Sequence, residues 1–161
     1  MPLPEIATPR LRLVIAQPGL EEALARFFRE NFVGHLDRWS PPMGGERFEA
    51  AWWKERLPAF AGEYEAGTAA RWVLLAPGDG APEVVGTNNF TQIARGAFRA
   101  CVMGYQVARR HEGKGLMFEA LTATVDHAFR QLRLHRVMAN YRPENVRSGR
   151  LLARLGFARE G

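Results

Sequence analysis

One segment restricts this chain more than any other. Met103-Gly104-Tyr105-Gln106-Val107-Ala108 alternates as a strand, Arg110-His111-Glu112-Gly113-Lys114-Gly115 forms an Arg-x-x-Gly-x-Gly turn, and Leu116-Met117 opens an apolar-periodic run. A turn that starts a helix after a strand leaves several N–H groups without intrahelical partners. With the positive end of the helix dipole, those donors make an anion site. Gly113 and Gly115 admit a ligand close to the backbone, while Arg110 and Lys114 add charge where a pyrophosphate sits. The surrounding architecture must be α/β, with a helix crossing between two parallel strands.

The turn excludes two familiar phosphate sites. A Walker A loop needs Ser or Thr after Gly-Lys, and here Gly115 follows Lys114. A dinucleotide fingerprint needs a third glycine, and Phe118 stands in its place. On these residues alone, a plain tight turn without a ligand remains the alternative.

The rest of the chain alternates elements as one α/β domain over 1–161. Leu11, Leu13 and Ile15 mark a first strand; Pro18 opens a helix carrying Leu20, Ala23, Leu24, Phe27 and Phe28. Residues 34–45 form a loop. Phe48, Trp52, Trp53, Leu57 and Phe60 predict a second helix, interrupted or kinked at Pro58. Strands over 71–75 and 83–93 are joined by Pro77-Gly78-Asp79-Gly80, and a third covers 97–108. A helix over 113–132, a strand over 135–141, a helix over 144–155 and a last strand from Phe157 complete the expectation. Strands 97–108 and 135–141 should be parallel neighbours.

Composition removes other classes. No apolar run reaches membrane-spanning length, and the N-terminus lacks a signal-peptide pattern. The single cysteine, Cys101, forms no intramolecular disulfide, which points to a reducing cytoplasm; on a core strand it reads as inert packing. Four scattered histidines supply no metal-ligand spacing. Of the +5 net charge, residues 1–108 contribute 11 basic and 12 acidic groups, and residues 109–161 contribute 11 basic and 5 acidic. An excess beginning at the phosphate turn fits a polyphosphate ligand without invoking nucleic acid, and it also favours approach to a ribosome.

The turn, together with Asn145-Val146-Arg147-Ser148 and Leu155-Gly156-Phe157, resembles the GCN5-related N-acetyltransferases (GNATs), whose Gln/Arg-x-x-Gly-x-Gly/Ala turn holds the acetyl-CoA pyrophosphate. The likeness is strongest to the RimJ/RimL branch, which acetylates ribosomal-protein N-termini. It runs almost continuously over residues 86–161 and more loosely through Thr8-Pro9-Arg10-Leu11 and His35-Leu36-Asp37-Arg38-Trp39-Ser40-Pro41.

The resemblance implies a mixed, mostly antiparallel sheet flanked by helices, with the parallel pair splayed into a V. Acetyl-CoA is then the co-substrate, with Gln106, Val107 and Ala108 along its pantetheine arm. An N–H near Gln106 or Val107 polarises the thioester carbonyl, and residues Arg110, His111, Glu112, Gly113, Lys114 and Gly115 surround the pyrophosphate. Asn145 holds the cofactor arm and Ser148 acts as general acid to the leaving sulfur; the local alternative is that both cap a helix start.

No general base is evident, since Val102 and Met103 precede Gly104 where some relatives carry glutamate. That favours a protein α-amine, about a tenth neutral at pH 7, over lysine. The N-terminal alanine of ribosomal protein S5 is the acceptor the resemblance implies. A small amine acceptor, or a non-catalytic acetyl-CoA-binding module, are the alternatives. Trp39 either walls the acceptor side or completes the core with Trp52 and Trp53. Relatives continue beyond the position of Gly161 through one more strand, so the resemblance implies either a shortened chain or a sheet one strand short.

Overall fold

The computed structural model describes residues 2–161. Six strands form one sheet in chain order: β1 (Glu5–Ala7), β2 (Arg12–Ile15), β3 (Ala70–Leu75), β4 (Val84–Ala94), β5 (Ala100–Val107) and β6 (Arg136–Ala139). The first five pair antiparallel, and β5–β6 is parallel, as the crossover between them requires. Helices α1 (Glu21–Asn31) and α2 (Ala50–Ala66) cover one face; α3 (Leu116–Arg130) and α4 (Val146–Arg154) cover the other.

Both faces are therefore buried, which is why β2 and β3 read as nearly continuous apolar runs. Leu13, Ile15, Trp72 and Leu74 pack towards α3, whereas Val14, Val73 and Leu75 pack towards α1 and α2. On that second side Phe28 stacks on Trp53 with ring centroids 5.5 Å apart. Trp53 and Leu57, both ahead of Pro58, are the buried residues that seat α2 on this face. Of the expected interruption or kink, the interruption does not occur: α2 is one helix through Pro58, which faces solvent.

Other boundaries also differ. β1 carries too few residues to show an alternating pattern. A 3₁₀ turn (Arg109–His111) separates β5 from the glycines, and α3 starts at Leu116 rather than at residue 113. β6 ends at Ala139, short of residue 141, and Phe157 begins no strand.

Two devices set the geometry beneath the site. At Gly86, a Cβ would stand 2.4 Å from the Gln106 carbonyl oxygen, so β4 and β5 approach this closely only because that residue is glycine. At its centre, fully buried Asn88 donates to the Gly104 carbonyl at 3.1 Å and accepts from the Thr124 hydroxyl at 2.6 Å. One amide thus ties β4, β5 and α3 together.

Candidate active site

The parallel pair separates where chemistry was expected. Its pairing runs from Ala100↔Arg136 to Met103↔Ala139 and then stops, while β5 continues four residues further with β4 as its strand partner. Hydrogen-bond alternation decides which groups face the opening. The Ala108 N–H donates to the Val85 carbonyl at 2.8 Å, and Gln106 pairs with Thr87 in the same phase. Their backbone groups therefore point at β4.

Of the three residues expected to line a pantetheine arm, only Val107 turns its backbone to the open side, and Tyr105 joins it. The expectation for the Gln106 and Ala108 backbones is corrected accordingly. Gln106 points its side-chain amide to the other face of the sheet, where it donates to the Ser40 hydroxyl at 2.8 Å.

The glycine turn keeps its predicted character. Gly113 and Gly115 have φ of +71° and +74°, the left-handed region that glycine occupies without strain. The helical ladder of α3 starts only when Glu119 N–H reaches the Gly115 carbonyl, so the preceding donors have no helical acceptor. Lys114 is exposed at the turn, and its carbonyl accepts from Arg10 at 2.7 Å. Glu119 accepts from the Thr8 hydroxyl, the Arg10 N–H and the Arg10 guanidinium. Burial raises the Glu119 pKa, but these bonds outweigh it and hold the carboxyl below its ordinary range.

The other members of the turn are already engaged. Arg110 and His111 both donate to the Glu83 carboxylate, at 2.6 and 3.0 Å. The hydrogen bond from His111, with the Arg110 charge beside it, holds Glu83 below its ordinary pKa despite partial burial. Arg110 pairs with Glu83 through a side chain that stays 60% exposed. Glu112 pairs with Arg147 at the start of α4, and its second oxygen lies 3.9 Å from His35 Nδ1.

His35 heads the loosely resembling run 35–41 and carried no role of its own in the sequence. It comes from the segment between the first two helices, and its Nε2–H donates to the Val107 carbonyl at 2.9 Å. Nothing local in the sequence marks it, because its partner is 72 residues away. Trp39, on the same segment, is 40% exposed with the Arg38 guanidinium 5.5 Å above its ring. Trp53 belongs to the core and Trp52 is half-buried, but Trp39 completes no core.

At α4 the two proposed roles divide between the two residues. Asn145 is the N-cap, its Oδ1 accepting from the Ser148 N–H at 3.2 Å. Ser148 caps nothing; its hydroxyl lies 2.5 Å from the Tyr105 hydroxyl, across the opening from β5. Burial raises the Tyr105 pKa, the bond to Ser148 lowers it, and nearby Tyr141 raises it; the net shift is upward. Cys101 is fully buried and its thiol is pushed up to about 11, which makes it packing rather than a nucleophile. Among the described residues no group of three or more His, Cys, Asp or Glu side chains clusters as a metal site, and no helix is long and apolar enough to cross a membrane.

Known proteins resemble this chain in sequence and in fold. The chain is 38% identical over all 161 residues to the Escherichia coli [ribosomal protein uS5]-alanine N-acetyltransferase, covering 81% of that protein. The ribosomal-protein-S5-alanine acetyltransferase structure from Vibrio fischeri superposes with a TM-score of 0.92 at 29% identity, over 98% of this chain and 85% of the other. Mycobacterium smegmatis RimJ, solved with CoA-disulfide, gives 0.85 at 29% identity, over 94% and 71%. The family model described as an acetyltransferase (GNAT) domain matches residues 10–158, a span that includes the glycine turn, the open edge of β5 and the first turn of α4. This chain belongs to the GNAT family of N-acetyltransferases.

Proposed function

We propose that this chain, as one catalytic unit, transfers the acetyl group of acetyl-CoA to the N-terminal alanine of ribosomal protein S5. The observation that carries the reading is 38% identity extending over every residue of the chain to an enzyme named for that reaction. The site is consistent with it: an unpaired strand edge, a donor-rich glycine turn and a hydroxyl pair surround one opening.

Each residue then has a part. The turn at Gly113, Lys114 and Gly115 takes the pyrophosphate through backbone N–H groups, with the exposed Lys114 as a cation beside it. Arg110 and His111, bound to Glu83, and Glu112, bound to Arg147, shape the turn. The Val107 N–H donates to the thioester carbonyl, where negative charge grows as the amine attacks; a fixed donor there is worth several kcal/mol in comparable sites, roughly 3 kcal/mol. Asn145 fixes the first turn of α4. The Ser148 hydroxyl donates to sulfur as the C–S bond breaks, an assistance of about 10²- to 10⁴-fold.

Ser40 ties the segment bearing Trp39 to Gln106, so Trp39 walls the acceptor side. The acceptor amine sheds its proton to water, which suffices for an α-amine of pKa about 7.7–8.0. A ribosomal acceptor assigns the work to the cytoplasm, on a free or ribosome-bound protein, with no nucleic-acid contact needed.

CoA release with alanine-initiated S5 peptides tests the reading. Blocking the α-amine should abolish turnover, and blocking lysines should leave it intact. The rate should rise with pH and level off near 8 rather than climb towards 10. A preference for lysine-only peptides or free polyamines refutes the acceptor assignment.

A further inference from the structure

Tyr105 is a half-buried titratable group that the proposed reaction does not use. It lies on the open part of β5, and its hydroxyl stands 2.5 Å from the Ser148 hydroxyl, although the two residues are 43 positions apart. We propose that Tyr105 is a positioning residue for the chemical step: it donates its hydrogen to Ser148 Oγ, so that the Ser148 hydrogen is left to point at the leaving sulfur. The proposal rests on the reading of Ser148 as the sulfur's hydrogen donor.

The direction of the bond follows from the acceptors in reach. The Tyr105 hydroxyl has two, Ser148 Oγ at 2.5 Å and the Ser148 carbonyl at 3.5 Å. The longer contact lies at the edge of a hydrogen bond. If Ser148 donated to Tyr105 instead, the phenolic hydrogen would be left with that marginal acceptor in a half-buried site. A phenol is also a stronger donor than an aliphatic hydroxyl.

Ser148 needs this help because a helical serine can turn its hydrogen to the carbonyl three or four residues back, which here belongs to Asn145 or Glu144. Oγ captured by Tyr105 has a fixed lone pair, which limits where its own hydrogen can go. Tyr141 crowds the same place: a Cβ on Gly149 would stand 2.9 to 3.0 Å from its ring and hydroxyl. Glycine at 149 therefore lets Tyr141 cover the residue next to Ser148.

Tyr105 orients the proton and does not surrender its own. Complete transfer would leave a phenolate at a half-buried position where burial already disfavours that charge. In the step itself the C–S bond breaks and the electron pair goes to sulfur, which the Ser148 hydroxyl stabilises as a hydrogen-bond donor while keeping its proton. The CoA thiolate leaves as such or takes a proton from water.

The test is a double-mutant cycle on single-turnover CoA release. Tyr105→Phe keeps the ring and should slow the chemical step roughly 3- to 10-fold, the scale of one neutral hydrogen bond, with the KM for acetyl-CoA within about twofold. In a Ser148→Ala background the same substitution should change nothing, because the hydroxyl it orients is gone. Equal slowing in both backgrounds, or a raised KM with an unchanged step, overturns the proposal. If Ser148→Ala alone keeps the wild-type rate, the underlying reading of Ser148 falls. If Ser148→Ala is slow and Tyr105→Phe is not, only the role of Tyr105 falls.

Discussion

Gly113→Ala separates what the glycine turn does for the fold from what it does for a ligand. Gly113 has φ +71°, and a Cβ added there meets nothing within 4 Å. The cost to the free protein is therefore conformational alone, about 1–2 kcal/mol for an L-residue in the left-handed region. For a chain of this size that lowers Tm by about 2–8 °C.

Gly96 supplies the control. Its φ is +74°, its Cβ would also meet nothing, and it lies in the loop before β5, at the far end of that strand from the turn. Gly96→Ala should lower Tm by the same amount. Acetyl-CoA affinity measured by calorimetry should part the two. Gly96→Ala binds as wild type, whereas Gly113→Ala loses a backbone approach to a charged group, worth about 1.5–3 kcal/mol or roughly 10- to 150-fold. Lys114→Ala removes only an exposed, screened charge and should cost less than about 5-fold. Matching affinities in Gly113→Ala and Gly96→Ala, with both proteins folded, refute the phosphate role of the turn.

The Asn88 amide makes a second prediction. Thr124→Val strands the buried Asn88 Oδ1, at about 1–3 kcal/mol, whereas Asn88→Leu leaves the Thr124 hydroxyl its bond to the Ala120 carbonyl. The double variant should lose less than the sum because no Oδ1 remains to be stranded; additive losses in urea unfolding refute the coupling. His127 gives a pH dependence. Burial lowers its pKa against the opposing charge of Asp126, so the fold favours the neutral ring, which shares a 2.9 Å hydrogen bond with Tyr64. Its stabilisation is complete above the unfolded value, about 6.5, and is lost as pH falls through the depressed native value. Wild type should therefore lose more stability than His127→Gln between pH 7.5 and 5.5 in urea titrations, and parallel losses contradict this.

The strand, glycine turn and helix were legible because each rests on local cues: alternation, two glycines and an apolar period. The parallel order of β5 and β6 followed from the crossover alone. What escaped were facts fixed by distant partners. Which N–H of β5 faces the opening depends on its phase against β4, and that phase is set across the sheet at Val85 and Thr87. Arg110 looked free until Glu83, 27 residues earlier, proved to hold it. Asn145 and Ser148 fit one capping pattern equally well; only Tyr105, on another element, draws the serine away from it.

The length of β6 is the clearest case of a local pattern overruled. Residues 135–141 carry enough apolar character for a longer strand, yet pairing with β5 ends at Ala139. Just beyond, Pro143 has no N–H to offer a strand, and its ring disfavours helix at Arg142. Tyr141 meanwhile packs against α4, in the space that a side chain at Gly149 would occupy. A chain drawn off towards α4 cannot continue along β5. The opening that exposes the Tyr105 and Val107 edge therefore accompanies a departure set outside β5: a neighbouring strand that stops at Ala139, and a glycine on α4 that gives Tyr141 somewhere to go.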